Sequence, residues 1–210
     1  MLNQRLNFPA FDALEYTPEL EFSNNRHVAL SPLKYGSTVI ELDSQGKTHS
    51  FLSENLFNNF GISFSYITKP LVLYFYSQEW GTAGIQHLKQ LNGMRHELDI
   101  YNINVLVIHS ERAEKLNRTF WEHNISLEAY HDANHEIARL FGIFHENSPA
   151  WSKYAGVENN IPLPAVYALD HERKVVFDFA NQDIQTHIPV NELKNAVATY
   201  AQYSSHKKSA

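Results

Sequence analysis

Short apolar runs alternate along this chain with stretches of helical period. Leu71–Tyr76 is apolar at every position, which predicts a central strand covered on both faces. Ile85, Leu88, Leu91, Met94 and Leu98 then recur at i, i+3 and i+4 spacing, the signature of a helix with one buried stripe. Thr82 is placed to cap that helix through its hydroxyl. Residues 103–108 read as a second buried strand. Residues 111–123 read as a helix with Ala113, Leu116 and Phe120 on one face and acidic Glu111 in its first turn. Residues 133–140 form a shorter helix closed by Gly142. Residues 145–163, with Pro149, Gly156 and Pro162, read as an irregular connection. A strand at 165–169, a turn at 170–173 and a strand at 174–179 make a hairpin. The last helix spans 190–202, with Val190, Leu193, Val197 and Tyr200 inward and Pro189 at its start.

Upstream, 37–42 and 47–51 read as a hairpin around the turn 43–46, in which Gly46 is free to take positive φ. A short helical segment begins at 53–57. The polar, aromatic stretch 1–36 reads as an arm packed on the domain. The domain itself is expected over 37–204, followed by a polar tail at 205–210. The order of elements, β-α-β followed by β-β-α, describes an α/β protein with a mixed central sheet flanked by helices.

Composition narrows the function classes. The 210 residues carry a net charge of −6, which argues against nucleic acid as a partner, because phosphate neutralisation needs a basic surface. No apolar run is long enough for a bilayer span or a signal peptide, so a soluble cytoplasmic protein is expected. The chain has no cysteine, which excludes disulfides, thiolate nucleophiles and cysteine-ligated zinc. The 12 histidines raise the question of metal binding. His131 and His135 are four apart, with His145 beyond them and Asp132 and Glu136 nearby. Asp132 is expected to start the helix, which leaves His131 outside it and spoils the shared face that a metal needs. His87, His96 and His123 fall on polar helical faces and read as solvated.

Four local segments carry a family resemblance. Residues 42–48 (LDSQGKT) resemble an entry hairpin, and 69–76 (KPLVLYFY) a first core strand. Residues 130–143 (YHDANHEIARLFGI) resemble an aspartate-led helix ending in an aromatic-Gly pair. Residues 163–170 (LPAVYALD) resemble a Pro-containing strand. In this order they resemble the peroxiredoxin-like branch of the alkyl hydroperoxide reductase/thiol-specific antioxidant family. That resemblance implies a thioredoxin-like fold in its peroxiredoxin form, an antioxidant or oxidoreductase label, and a homodimer. It also implies a cis peptide at Pro164, beside the site.

The branch carries Trp-Cys-x-x-Cys at the first strand-to-helix turn. Here that stretch is Trp80, Gly81, Thr82, Ala83 and Gly84, so both cysteine positions are glycine. Near the final strand Asp183 fits the family pattern, while Thr186 and His187 stand where paired arginines are usual. A helix N-terminus lowers a thiol pKa, but it supplies no nucleophile of its own. The resemblance therefore implies a family member without catalytic residues or cofactor, acting by binding or dimerisation. Two outcomes are open for the site. The glycines could leave a pocket, walled by Trp80 and Pro164, for a small polar or anionic ligand. Alternatively, neighbouring aromatics or the 145–163 connection could fill it. The alternative function is an enzyme using a non-thiol mechanism, such as a His-bound metal at His131 and His135.

Overall fold

The structure is a computed structural model. It describes residues 28–42, 48–51, 69–149, 154, 156–183 and 185–207, without the side chains of 41–42, 48–50 and 202–207. The first 27 residues of the expected arm, the turn 43–46 and the helical segment at 53–57 lie outside the described residues.

Five strands form the central sheet: β3 (Leu71–Tyr76), β4 (Asn104–His109), β5 (Glu128–His131), β6 (Ala165–Leu169) and β7 (Val175–Ala180). Their order is β5-β4-β3-β6-β7. β4 runs parallel to both β3 and β5. β6 runs antiparallel to both β3 and β7. A separate hairpin pairs β1 (Ile40–Leu42) with β2 (Thr48–Ser50). Among the described residues the α-helices are α1 (Gly81–Ile100), α2 (Ala113–Glu122), α3 (Glu136–Leu140) and α4 (Val190–Lys207).

β3 shows why the sheet is central. Successive side chains of a strand point to opposite faces. Leu71, Leu73 and Phe75 join one core cluster with Phe51, Phe141 and Tyr167. Val72, Tyr74 and Tyr76 join the other with Leu88, Leu91 and Leu193. Each fully buried aliphatic side chain contributes about 1.5–3 kcal/mol, so a strand buried on both faces anchors both layers at once.

The helix ends follow one rule. Asn102, Asn124 and Gly142 take positive φ just after α1, α2 and α3. Beyond each, an amide returns to the last turn: Ile103 to the Leu98 carbonyl, Ile125 to Phe120 and Ile143 to Ala138. This is the Schellman arrangement, which satisfies otherwise orphaned carbonyls. Only at Gly142 is a side chain also sterically barred, because a Cβ there would lie 2.0 Å from the Ser31 carbonyl oxygen. The described end of the arm runs against that helix end, with the Leu33 amide on the Phe141 carbonyl.

Three expectations change here. α3 begins at Glu136 and not at 133. Asp132, buried, reaches forward instead and accepts from the amides of Ile137 and Ala138. α4 runs past 202 and through the expected start of the tail, to Lys207; residues 203–207 contain no Pro or Gly to stop it. The peptide before Pro164 is trans, since the described residues contain no cis bond. In this arrangement the Leu163 amide donates to the Ile143 carbonyl, and the Pro164 carbonyl accepts from Asn181.

Candidate functional site

The glycine-substituted turn lies at the carboxyl end of β3, where ligand sites of open α/β sheets form. Phe75 pairs with Ala165, so buried Pro164 stands beside the end of β3. A single 3-10 turn, Gln78–Trp80, leads into α1, and the Ser77 hydroxyl caps that turn by accepting from the Glu79 amide at 3.2 Å. Trp80 is the N-cap of α1 and makes no side-chain cap bond. Thr82 is therefore not the cap. The preceding turn brings the chain in already wound, so the capping hydroxyl is Ser77, and Thr82 lies exposed within the first turn of α1.

The turn is fastened on two sides. Towards α2, the Gln78 amide donates to Glu111 Oε1 at 2.6 Å, and the Gln78 side chain donates to Thr119 Oγ1 at 3.1 Å. Towards the 145–163 connection, the Glu79 carboxylate accepts from the amides of Glu158 and Asn159 and from the Asn159 side chain. Trp80 is 3% exposed and packs with Val157 and Ile161. The Tyr154 ring meets it edge-on, with centroids 5.3 Å apart.

The two glycines differ. Gly81 has φ 52 and ψ −130, close to the first central position of a type II′ turn, which glycine dominates. A Cβ there would meet nothing within 4 Å, so this position is open but barred by backbone. Gly84 is the reverse case. A Cβ there would lie 3.0 Å from Trp80 Cβ, 3.1 Å from Tyr76 Cε2 and 3.2 Å from the Ser77 carbonyl oxygen. This position is helical but filled. Trp80 is buried under the connection, and its Cβ and the Tyr76 ring border Gly84. Ala83 lies half-buried between the two.

Tyr76, His109 and Glu111 are the ionisable groups packed behind the turn. Burial and the nearby Glu111 charge push the Tyr76 hydroxyl up to about 12. Burial alone would raise Glu111, but His109, the Gln78 amide and the Ser77 hydroxyl outweigh it and hold the carboxyl below its usual range. Glu111 thus serves as an ionised acceptor for the Gln78 amide. His109 Nδ1 stands 3.7 Å from Glu111 Oε2. The turn holds a helix N-terminus, hydrogen-bond acceptors and the hydroxyls of Ser77 and Thr82, with no thiol.

The remaining candidates take local roles. His131 ends β5, stacks on His109 with centroids 5.3 Å apart, and faces the Ser110 carbonyl. His135 precedes α3 in left-handed conformation and stacks on Phe144 at 4.2 Å. His145 Nδ1 accepts from the Asn147 amide. Among the described residues no three His, Asp or Glu side chains converge as a metal site. Asp183 accepts from the Gln185 amide and the Thr186 hydroxyl, while His187 is exposed.

His87 departs from expectation. It is 3% exposed and not solvated, with Nδ1 3.3 Å from the Tyr74 hydroxyl and Nε2 2.9 Å from the Thr186 carbonyl. The signal was present in the sequence: 84, 87, 88 and 91 are spaced i, i+3, i+4 and i+7, which puts His87 on the flank of the apolar stripe. His96 is exposed and His123 half-buried.

Cavities also lie away from the turn. One, of about 540 Å³, is bounded by Tyr35, Lys174, Val176, Ala196 and Tyr200; a smaller one lies beside Asp99 and Ser126. Among the described residues no helix is long and apolar enough to cross a membrane.

Comparison with known proteins agrees with the architecture. The family model described as AhpC/TSA matches residues 58–178. No curated protein matches the sequence. Among solved structures, the chain is similar to the peroxidoxin BcpB from Mycobacterium tuberculosis, at 15% identity and TM-score 0.55, over 80% of this chain and 97% of that one. It is also similar to the mitochondrial 2-Cys peroxiredoxin from Plasmodium falciparum, at 14% identity and TM-score 0.54, over 84% and 96%. A peroxiredoxin-like protein from Aquifex aeolicus gives 16% identity and TM-score 0.55, over 80% and 88%. At these identities the structures attest the fold. The family model spans more than half of the sequence, and the sheet, the α1 turn and the Asp132-led helix α3 fall in the same order: this cysteine-free chain belongs to the AhpC/TSA family.

Proposed function

We propose that the chain is a non-peroxidatic member of its family that acts by binding a partner or a second copy of itself. One observation carries this reading. Glycines stand at both expected cysteine positions, Gly81 at positive φ with open space beside it and Gly84 against Trp80 Cβ, the Tyr76 ring and the Ser77 carbonyl oxygen. Tyr76 and Trp80 leave no free room for a side chain at Gly84, and the connection covers Trp80. A small anion would have only the exposed outer side of Gly81 and Thr82 to approach, so the α1 end is a weak candidate for a ligand pocket. Recognition is assigned to the molecular surface instead.

The test is peroxide consumption by purified protein supplied with dithiothreitol or with a thioredoxin system. The expected rate equals that of the reductant alone. Turnover that co-purifies with the chain through successive columns would sink the reading. Light scattering across a concentration series tests self-association in the same preparation, and a homodimer is the expected species.

A further inference from the structure

The cavity of about 540 Å³ lies towards the end of the sheet remote from the α1 turn. β6 pairs with β3 so that Ala165 is opposite Phe75 and Leu169 is opposite Leu71. The turn after Leu169, which carries Asp170 and leads to Lys174, is therefore at the other end from Gly81. The cavity opens between that turn, β7, α4 and the end of the arm. Its volume falls within the roughly 300–1,000 Å³ of sites that hold small molecules. Its floor is apolar, because Val176 of β7 and Ala196 of α4 are half-buried against one core cluster. Two tyrosine rings, Tyr35 and Tyr200, stand at its margin.

These margins are held in place. The Tyr35 amide donates to Asp178 Oδ1 at 2.8 Å, and Lys34 Nζ donates to Asp178 Oδ2 at 3.0 Å, which pins the arm to β7 beside the ring. The Tyr200 hydroxyl is engaged by the His171 ring. Tyr35 is nonetheless 73% exposed, an aromatic surface fixed in water next to an apolar floor. Asn195 and Thr199, four apart on α4 and both exposed, line one rim with an amide and a hydroxyl. The charges sort unequally. Asp170 is buried, and its Oδ1 accepts from the amides of Glu172 and Lys174 at 2.9 and 2.8 Å, so it is bound into its own turn. Lys34 is paired with Asp178, and Lys194 with Glu97. The Lys174 side chain is exposed, and among the described residues no carboxylate pairs with it.

The geometry points to a binding site for a small aromatic carboxylate. Its ring lies over Val176 and Ala196 beside Tyr35, which removes apolar surface of both partners from water. Its carboxylate meets the Lys174 ammonium at the rim, a charge-assisted contact that orients the ligand and favours an acid over its neutral amide. The proposal rests on the reading that recognition lies on the outer surface, and it names one place and one ligand class there. Because the cavity is remote from the α1 turn, peroxide consumption tests that reading and ligand titration tests this one.

The experiment is an amide-shift titration of the ¹⁵N-labelled full chain with 2-naphthylacetate, run beside its neutral amide, 2-naphthylacetamide, and the cation 2-naphthylethylamine. The acid is expected to shift the amides of 174–176 and 195–200 saturably, with a dissociation constant of about 1 mM or tighter for a ligand of this size. It should bind at least about threefold more tightly than the amide, the scale of one exposed charge pair. Lys174→Met should abolish that preference and leave the affinity for the amide unchanged. Thr199→Phe, at an exposed rim position, should obstruct the cavity and weaken the acid and the amide together. Where Thr199→Phe fails to fold, intermolecular NOEs from the naphthyl protons to the Val176 methyls of the wild type decide: their presence supports the site and their absence overturns it. Absence of saturable shifts at these amides overturns the proposal, as does an amide or an amine that binds as tightly as the acid, or an acid affinity that Lys174→Met leaves unchanged. Shifts at the same amides that vary with protein concentration before any ligand is added give the cavity to a second copy of the chain, and also overturn it.

Discussion

Placing a side chain on either site glycine separates two mechanisms that the sequence alone cannot tell apart. At Gly81 the obstacle is the backbone, because φ is 52 and a Cβ meets nothing within 4 Å. Holding an L-residue in such a region costs about 1–3 kcal/mol. Ala at a glycine position also removes freedom from the unfolded chain, which returns about 0.4–1 kcal/mol. Gly81→Ala should therefore destabilise by about 1–2 kcal/mol, lowering the melting midpoint of a chain this size by roughly 2–8 °C. At Gly84 the obstacle is space. Trp80 and Tyr76 are both buried, Trp80 beneath Val157 and Ile161, and the third neighbour is backbone, so none yields freely. Overpacking costs about 1–3 kcal/mol, against about 1 kcal/mol of helix propensity gained over Gly. The net is a loss of about 0–2 kcal/mol, and it should shrink when Tyr76, whose ring carbon would lie 3.1 Å from the new Cβ, is reduced to Leu, while the Gly81→Ala penalty persists. Urea titrations of the single and paired variants read both terms. A Gly81→Ala protein as stable as the wild type, or a Gly84→Ala penalty indifferent to Tyr76, would refute the reasoning. The same costs would meet Cys at these positions, so Gly81→Cys with Gly84→Cys is expected to regain no peroxidase activity.

Two further outcomes follow from buried charge. Arg173 is 2% exposed at φ 62, donating to the carbonyls of Phe51 and Lys69 at 3.1 and 3.0 Å; Arg173→Ala should cost about 2–4 kcal/mol in urea titration, and Arg173→Gly about 1 kcal/mol less, because it relieves the positive φ. His87 and His135 both have folded pKa values lowered by burial, so below pH 6.5 the unfolded chain binds more protons than the folded one. Their stabilisation is complete above 6.5 and is lost as pH falls towards the folded values, at up to about 1.4 kcal/mol per pH unit for each group; urea midpoints taken between pH 7.5 and 5.0 should decline, and flat midpoints would contradict the burial of both rings.

Legibility along the chain tracks how many faces of an element are covered. β3 and β6 match expectation residue for residue, because a strand buried on both sides must be apolar throughout. β5, Glu128–His131, was missed: it pairs with β4 at the margin of the sheet, and none of its four residues is buried, so its sequence carries no apolar run. Gly142 was readable as a helix stop because an aromatic-Gly pair followed a periodic segment. Asn102 and Asn124 make the same turn without glycine and passed unnoticed. Thr82 misled for a related reason. It is the hydroxyl nearest the start of the apolar stripe, but the winding begins earlier, at Ser77, directly after the strand.

The site shows the limit most clearly. Local sequence locates the two glycines and fixes the absence of thiol chemistry, but it cannot say whether the space beside them is open. That depends on Glu79 receiving the amides of Glu158 and Asn159, and on Trp80 meeting Tyr154, Val157 and Ile161, contacts between segments far apart in the chain. Their energetics run in one direction. Burying the Trp80 indole beneath the connection removes a large apolar area from water. The connection is then held to the turn by apolar packing and by the Glu79 carboxylate together. A binding function for this family member must therefore use either its outer surface or a state in which the connection has moved. Of these two, only the second makes ligand affinity depend on the contacts that hold Tyr154 and Trp80 in place.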